Sequence, residues 1–176
     1  NDFNVDRKGL ILNNSTANVT NAHGTISKNS NLRTGSASVI LNEVISTNNS
    51  TLKGFIEVNG AKADVIIANP NGIICAGCSF INTNKAVLTT GKPKIDSLGS
   101  IDTYTIDSGK IIIRDDGMSA PNSFALIMAS AIDITGMITA QTASVSAGSF
   151  TLNNKTGVVT SAGKAATGML VAMPNF

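Results

Sequence analysis

Apolar residues in this chain come in short bursts and never settle into helical spacing. The clearest bursts are Ala37 to Ile45, Lys53 to Val58, Ala63 to Ala68, Ala86 to Thr90, Lys110 to Arg114, Ser123 to Met128, Ile132 to Thr135 and Ala143 to Ala147. Each is rich in β-branched residues and bounded by Gly, Asn, Asp or Ser, a pattern that predicts strands. Ala162 to Val171 is a faint helical candidate, weakened by Gly163 and Gly168. The bursts return after roughly twenty residues, the length of one β-solenoid coil. Val65, Val87, Ile112 and Ile132 mark this spacing. Val65-Ile66-Ile67-Ala68 and Ile111-Ile112-Ile113 are continuously apolar, as strands buried on both faces are. Strands of a β-sandwich mostly alternate, so the pattern favours an all-β, right-handed parallel β-helix. Val, Ile and Ala inside, with Asn or Thr at the corners, suit its stacked ladders.

Composition sharpens this picture. The 176 residues predict a single domain over 1–176. Charged residues make up 14% of the chain, against about 25% in an average domain. Hydrophobic residues reach 42% and the net charge is +2, so disorder is not expected. No basic stripe with interleaved aromatics is present, which excludes a nucleic-acid footprint. No apolar run approaches the roughly 20 residues of a membrane-spanning helix, so membrane insertion is not expected. The chain starts at Asn1 with no signal peptide, and reads as a processed form.

Chemistry is sparse. Cys75 and Cys78 form a C-x-x-C around Ala76-Gly77. A zinc site needs four ligands, and His23 is the single histidine, so no metal and no cofactor are expected. Two readings of the cysteines stand: a structural disulfide across the bend, suited to an oxidising compartment, or two buried thiols acting as small hydrophobes. Asp115-Asp116 is the adjacent carboxylate pair and reads as a turn before Gly117. Glu43, Glu57 and Asp64 fall on successive predicted strands, and sequence does not say whether they converge. His23 reads as a solvent-facing loop residue; no nucleophile elbow accompanies it. Sequons at Asn13, Asn14, Asn18, Asn48, Asn49 and Asn154 follow from the Asn, Ser and Thr content.

The densest local signal is Asn69-Pro70-Asn71-Gly72-Ile73. Asn suits the first position of a type I turn, Pro the second and Gly the fourth. This run, continued through Ile74-Cys75-Ala76-Gly77-Cys78-Ser79-Phe80, closely resembles the signature of the two-partner secretion domain family. Such domains lie near the N-terminus of large bacterial filamentous haemagglutinins and contact-dependent inhibition toxins. Asn29-Ser30-Asn31-Leu32 resembles the second asparagine-rich motif of the family. Gly9 to Ser15, Ile40 to Val44, Gly54 to Val58, Ala63 to Ala68 and Leu88 to Pro93 also match family stretches in order. From Lys94 onward the likeness is only one of style. In the family a cap of short strands precedes the match to Asp2-Phe3-Asn4-Val5, and that cap is expected to be absent here.

The resemblance implies a β-helix with extra strands packed on its side, and a recognition and folding module in place of an enzyme. It implies a monomer carried through the periplasm to the outer cell surface of a Gram-negative bacterium, as part of a much larger exoprotein. The implied partner is an outer-membrane β-barrel transporter with periplasmic, POTRA-type domains. The implied contacts are Asn29, Ser30, Asn31, Leu32, Asn69, Pro70, Asn71, Gly72 and Ile73. Two other classes compete: a glycan-binding adhesin module, and a β-helical polysaccharide lyase or hydrolase. The first lacks aromatic stacking surface, since Tyr104 is the single Tyr and Trp is absent.

Overall fold

The structure, a computed structural model, describes residues 1–161 and the strand Leu170–Val171. The strands are β1 (Leu10–Asn14), β2 (Val19–Asn21), β3 (Gly24–Ile26), β4 (Val39–Glu43), β5 (Ser50–Leu52), β6 (Phe55–Gly60), β7 (Ala63–Ala68), β8 (Ile73–Ile81) and β9 (Thr83–Thr89). They continue with β10 (Lys92–Ile95), β11 (Ile101–Ile106), β12 (Lys110–Ala129), β13 (Ala131–Ile134), β14 (Ile138–Ala147), β15 (Phe150–Asn153), β16 (Val159–Ser161) and β17 (Leu170–Val171). No helix occurs among the described residues. The helical candidate Ala162 to Val171 lies outside them except for its last two residues, which are strand.

All pairings in the main sheet are parallel, and they sort into three faces. The first face stacks β5, the start of β8, the start of β12, β13 and β17. The second stacks β1, β6 and the end of β8, with the middle of β12 and the start of β14 above. The third stacks β4, β7, β9, the end of β12 and the end of β14. The chain visits the faces in this order again and again, so the sheet curls on itself as a right-handed parallel β-helix, not a sandwich. β12 alone spans all three faces. It bends at Asp115, whose φ of 55° lies in the left-handed region that few side chains adopt, and again before Ser123. Asp115-Asp116 therefore marks a bend inside one long strand.

Register corrects the spacing read from sequence. Val65 pairs with Ala86, and Val87 pairs with Ile66, so Val65 and Val87 point to opposite sides of their strands. Ile112 belongs to the first face, between Ile74 and Asp133. The irregular spacing has a physical cause. The antiparallel hairpin β2–β3 interrupts the first coil, and β10–β11 is inserted between β9 and β12.

Two cores follow. Inside the helix lie Leu52, Ile56, Val65, Ile67, Ile73, Leu88, Ile113 and Ile127, all fully buried. The second core lies on the outside of the third face. There Ile66, Val87, Leu126 and Met128 meet Ile101, Tyr104, Ile106 and Phe150 of the four-stranded antiparallel sheet β10-β11-β15-β16. This cover explains the continuous run at Val65 to Ala68: Val65 and Ile67 face inward, and Ile66 faces the added sheet. Ile111-Ile112-Ile113 has a different explanation, because Ile112 stays half-buried on an outer face that belongs to neither core among the described residues. On β14 the outward positions opposite Phe124, Leu126 and Met128 become Thr142, Ser144 and Ser146, so the polar pattern begins where the added sheet ends.

Candidate functional site

The corner between the third and first faces is built from Asn69 to Gly72. The Gly72 N–H donates to the Asn69 carbonyl at 3.1 Å, closing the turn. The Asn71 N–H donates to Asn69 Oδ1 at 2.9 Å, the side-chain-to-backbone bond that favours Asn at a turn start. Asn69 is fully buried. Its Nδ2 donates to the Asn48 carbonyl at 3.0 Å and to Ser50 Oγ at 2.9 Å, both on the coil below. Its backbone N–H donates to Thr89 O on the coil above at 2.9 Å. Asn71 Nδ2 reaches Ser46 O at 2.7 Å and Asn69 Oδ1 at 2.9 Å. One asparagine thus stitches three successive coils, and every polar group on its side chain is used.

Neighbouring coils approach this corner closely. A Cβ on Gly109 would lie 2.6 Å from the Pro70 carbonyl oxygen, and one on Gly72 would lie 2.9 Å from Lys110 O. Both glycines also have positive φ, 84° and 119°, so no side chain is accommodated at either without displacing backbone.

The Asn29 turn repeats the device at another corner. The Asn31 N–H donates to Asn29 Oδ1 at 3.0 Å, Leu32 N–H to Asn29 O at 3.2 Å, and Asn29 Nδ2 to Asn13 O at 2.9 Å. This turn lies between β3 and β4, in the connection from the second face to the third. The two asparagine motifs share a geometry, and the structure does not bring them together. Three further asparagines serve the corners between the second and third faces. Buried Asn14 bonds Ala37 and Ala61, buried Asn59 bonds Asn13, and Asn82, at φ 60°, bonds Val58 and Gly60. Sequence reasoning notes Asn14 only as a sequon within the Gly9 to Ser15 stretch and does not single out Asn59 or Asn82. Asn82 carries a usable signal, a lone Asn between Ile81 and Thr83 where the backbone changes face, because Asn tolerates the left-handed region.

Immediately after the first corner, Cys75 and Cys78 are joined by a disulfide with a Cα–Cα distance of 5.3 Å. Both residues are buried inside the helix, where Cys75 pairs with Ile113 above and Leu52 below. Intact-mass measurement without reductant will show two hydrogens fewer than the reduced protein, and thiol labelling in denaturant will find nothing. Labelling at both cysteines would overturn this. Reduction alone will lower stability modestly, because the closed loop is short.

The remaining candidates do not converge. His23 is exposed at the β2–β3 turn, yet its Nε2 lies 2.6 Å from Glu57 Oε2 and its ring stacks on Phe55. Glu43, Glu57 and Asp64 stand on β4, β6 and β7 with no shared ligand geometry; among the described residues no group of three or more His, Cys, Asp or Glu is placed to hold a metal. Tyr104 is buried in the second core, where burial pushes its phenol well above the usual range. It offers no ring to a sugar.

Two carboxylates, Asp96 at the added sheet and Asp64 on β7, set a pH dependence. Asp96 organises the β10–β11 turn. The bond from Lys155 Nζ, at 2.6 Å, holds its carboxyl below the usual range, helped by the backbone N–H groups of Ser100 and Leu98. A lowered carboxylate contributes stability above its ordinary range and loses it as pH falls through the folded value. Asp64 has the opposite sign: burial raises its pKa against the opposing charge of Lys85, so mild acid relieves a cost. Melting of the wild type and of Asp96→Asn, followed from about pH 7 to pH 3, will differ most at neutral pH and converge in acid. A constant difference would show that the Asp96 charge plays no part.

Comparisons with known proteins place this geometry. A family model described as the TPS secretion domain matches residues 1–175, well past Lys94, where the likeness of individual motifs fades. The tRNA nuclease CdiA of Yersinia mollaretii is 45% identical over 85% of this chain. The 16S rRNA endonuclease CdiA of Enterobacter cloacae is 43% identical over 84%. The chain spans about 5% of the length of each of these relatives. Among solved structures, a filamentous hemagglutinin secretion domain superposes with a TM-score of 0.84 at 31% identity, covering 99% of this chain and 59% of that one.

Proposed function

This chain belongs to the TPS secretion domain family, and from that premise we propose that it is the export module of a large CdiA-like or haemagglutinin-like protein of a Gram-negative bacterium. It works with an outer-membrane transporter and ends at the cell surface or outside the cell. The polypeptide crosses the periplasm unfolded. Periplasmic POTRA-type domains of the transporter capture it by strand addition, at the early apolar strands and the Asn29 to Leu32 and Asn69 to Ile73 segments. Folding outside then nucleates the longer β-helix and biases the polypeptide against return. The module acts as a single domain and a monomer, and performs no catalysis of its own. The nuclease in the relatives' names is said of proteins of which this chain matches about 5%.

The observation that carries this reading is the fate of the backbone edges. In the folded protein β6, β7, β8 and β9 are paired on both sides, whereas β1 and β4 end the main sheet, and Asn69, Asn71 and Gly72 have spent their polar groups on one another and on neighbouring coils. A partner that adds strands to β6 through β9 or to the Asn69 corner meets them free only before folding. The test is binding of isolated transporter periplasmic domains to the folded protein and to a variant that folds slowly, each at low and high salt. Tighter binding to the unfolded form, nearly independent of salt, is expected, since few charges are available for steering. Equal binding to both forms, or loss at high salt, would mean that a folded charged surface is recognised.

A further inference from the structure

We propose that Asn71-Gly72 is a deamidation site that the fold holds shut and that opens whenever the protein is unfolded. Asn59-Gly60 and Asn71-Gly72 are the Asn-Gly dipeptides of this sequence. In a flexible polypeptide, glycine leaves its own backbone nitrogen unhindered and free to turn. That nitrogen attacks the Asn Cγ and gives up its proton. The Cγ–Nδ2 bond breaks, ammonia leaves, and a five-membered succinimide forms. Water then opens either ring carbonyl, leaving aspartate or its backbone-lengthened isomer. No oxidant or enzyme enters the balance.

The folded corner denies this reaction its geometry. The Gly72 nitrogen is committed to Asn69 O at 3.1 Å. Asn71 Nδ2 is held by Ser46 O at 2.7 Å, Asn48 O at 3.3 Å and Asn69 Oδ1 at 2.9 Å. Asn71 is exposed while Gly72 is buried, so water has access and immobility is the barrier. The same contacts make the product incompatible with the fold. A carboxylate at position 71 would set oxygen lone pairs against three acceptor oxygens that now receive an N–H. The lengthened isomer would displace the Gly72 N–H from its turn partner. Asn59 is the internal comparison: it is buried, its Nδ2 is 2.9 Å from Asn13 Oδ1, and Gly60 packs against Ser15.

The chemistry stands apart from the export reading; only its cellular meaning, that a polypeptide waiting unfolded ages at its own corner, rests on it. The experiment therefore uses the purified protein alone. One sample is kept folded and one unfolded in urea at the same mildly alkaline pH and temperature. Conversion at position 71 is followed by mass and fragmentation of the proteolytic segment 63–85. Conversion roughly tenfold or more faster in the unfolded sample is expected, following the protection that a stable core element confers. Molecules converted at position 71 will be missing from the fraction that refolds. Asn71→Asp will fail to reach the native melting transition; since that variant tests only the product, the wild-type time course decides on the site. Equal rates in the two samples would overturn the proposal, and so would refolding of converted molecules as well as fresh ones.

Discussion

Replacing Asn69 by leucine will destabilise the fold by about 3 kcal/mol or more. Leucine has the same branched shape but is larger and carries no polar atom, so lost hydrogen bonds and overpacking both contribute. The substitution orphans the fully buried Ser50 Oγ and the Asn71 backbone N–H, and takes from Asn48 O one of its two N–H donors. Each buried unsatisfied group costs about 1–3 kcal/mol, and groups in one network do not add fully. A loss of about 1 kcal/mol is what a lone surface turn asparagine would give; the larger figure follows from its complete burial between coils. Urea unfolding monitored by circular dichroism will show the midpoint fall with an unchanged slope. Ser50→Ala in the Asn69→Leu background should cost less than it does in the wild type, because the partner is already gone. An unchanged midpoint for Asn69→Leu would remove the corner from any role in stability.

Ile66→Ala will cost about 2–5 kcal/mol, as deletion of a buried side chain does, while Ile112→Ala will cost less than about 1.5 kcal/mol. Both residues occupy the middle of a continuous apolar run, and sequence alone does not separate them. Ile66 is 2% exposed between the helix and the added sheet, whereas Ile112 is half-buried and belongs to neither core among the described residues. Amide exchange will accelerate in β10, β11 and β15 for Ile66→Ala and stay at wild-type rates there for Ile112→Ala. Similar losses for the two variants would mean that the second core does not hold the added sheet.

The strands, the solenoid and the principal corner are legible along the sequence, for local reasons. A strand announces itself by β-branched residues between turn formers, and the limits Ala63 to Ala68 agree with the structure to the residue. The Asn69 turn announces itself because Asn, Pro and Gly each satisfy a separate dihedral or hydrogen-bond need at fixed positions. The C-x-x-C leaves two readings, and only the placement of both sulfurs at one bend distinguishes them.

Other features depend on which strands stack, and no local signal encodes that. Val65 and Val87 look like one ladder by spacing, yet the pairing slips by one residue at the bulge between Ala63 and Val65, which sends them to opposite faces. The inserted β10–β11 hairpin turns an outer face into a second core, so Ile66, Tyr104 and Phe150 are buried together although far apart in sequence. His23 meets Glu57, and Asn69 meets Asn48 and Ser50, only because successive coils lie at the roughly 4.8 Å strand spacing. The sequence by itself determined that this protein forms short strands joined by asparagine turns around an apolar interior. The tertiary structure decided the register and the position of the added sheet. Those depend on long-range pairing, where the burial of whole faces outweighs the preference of any single residue.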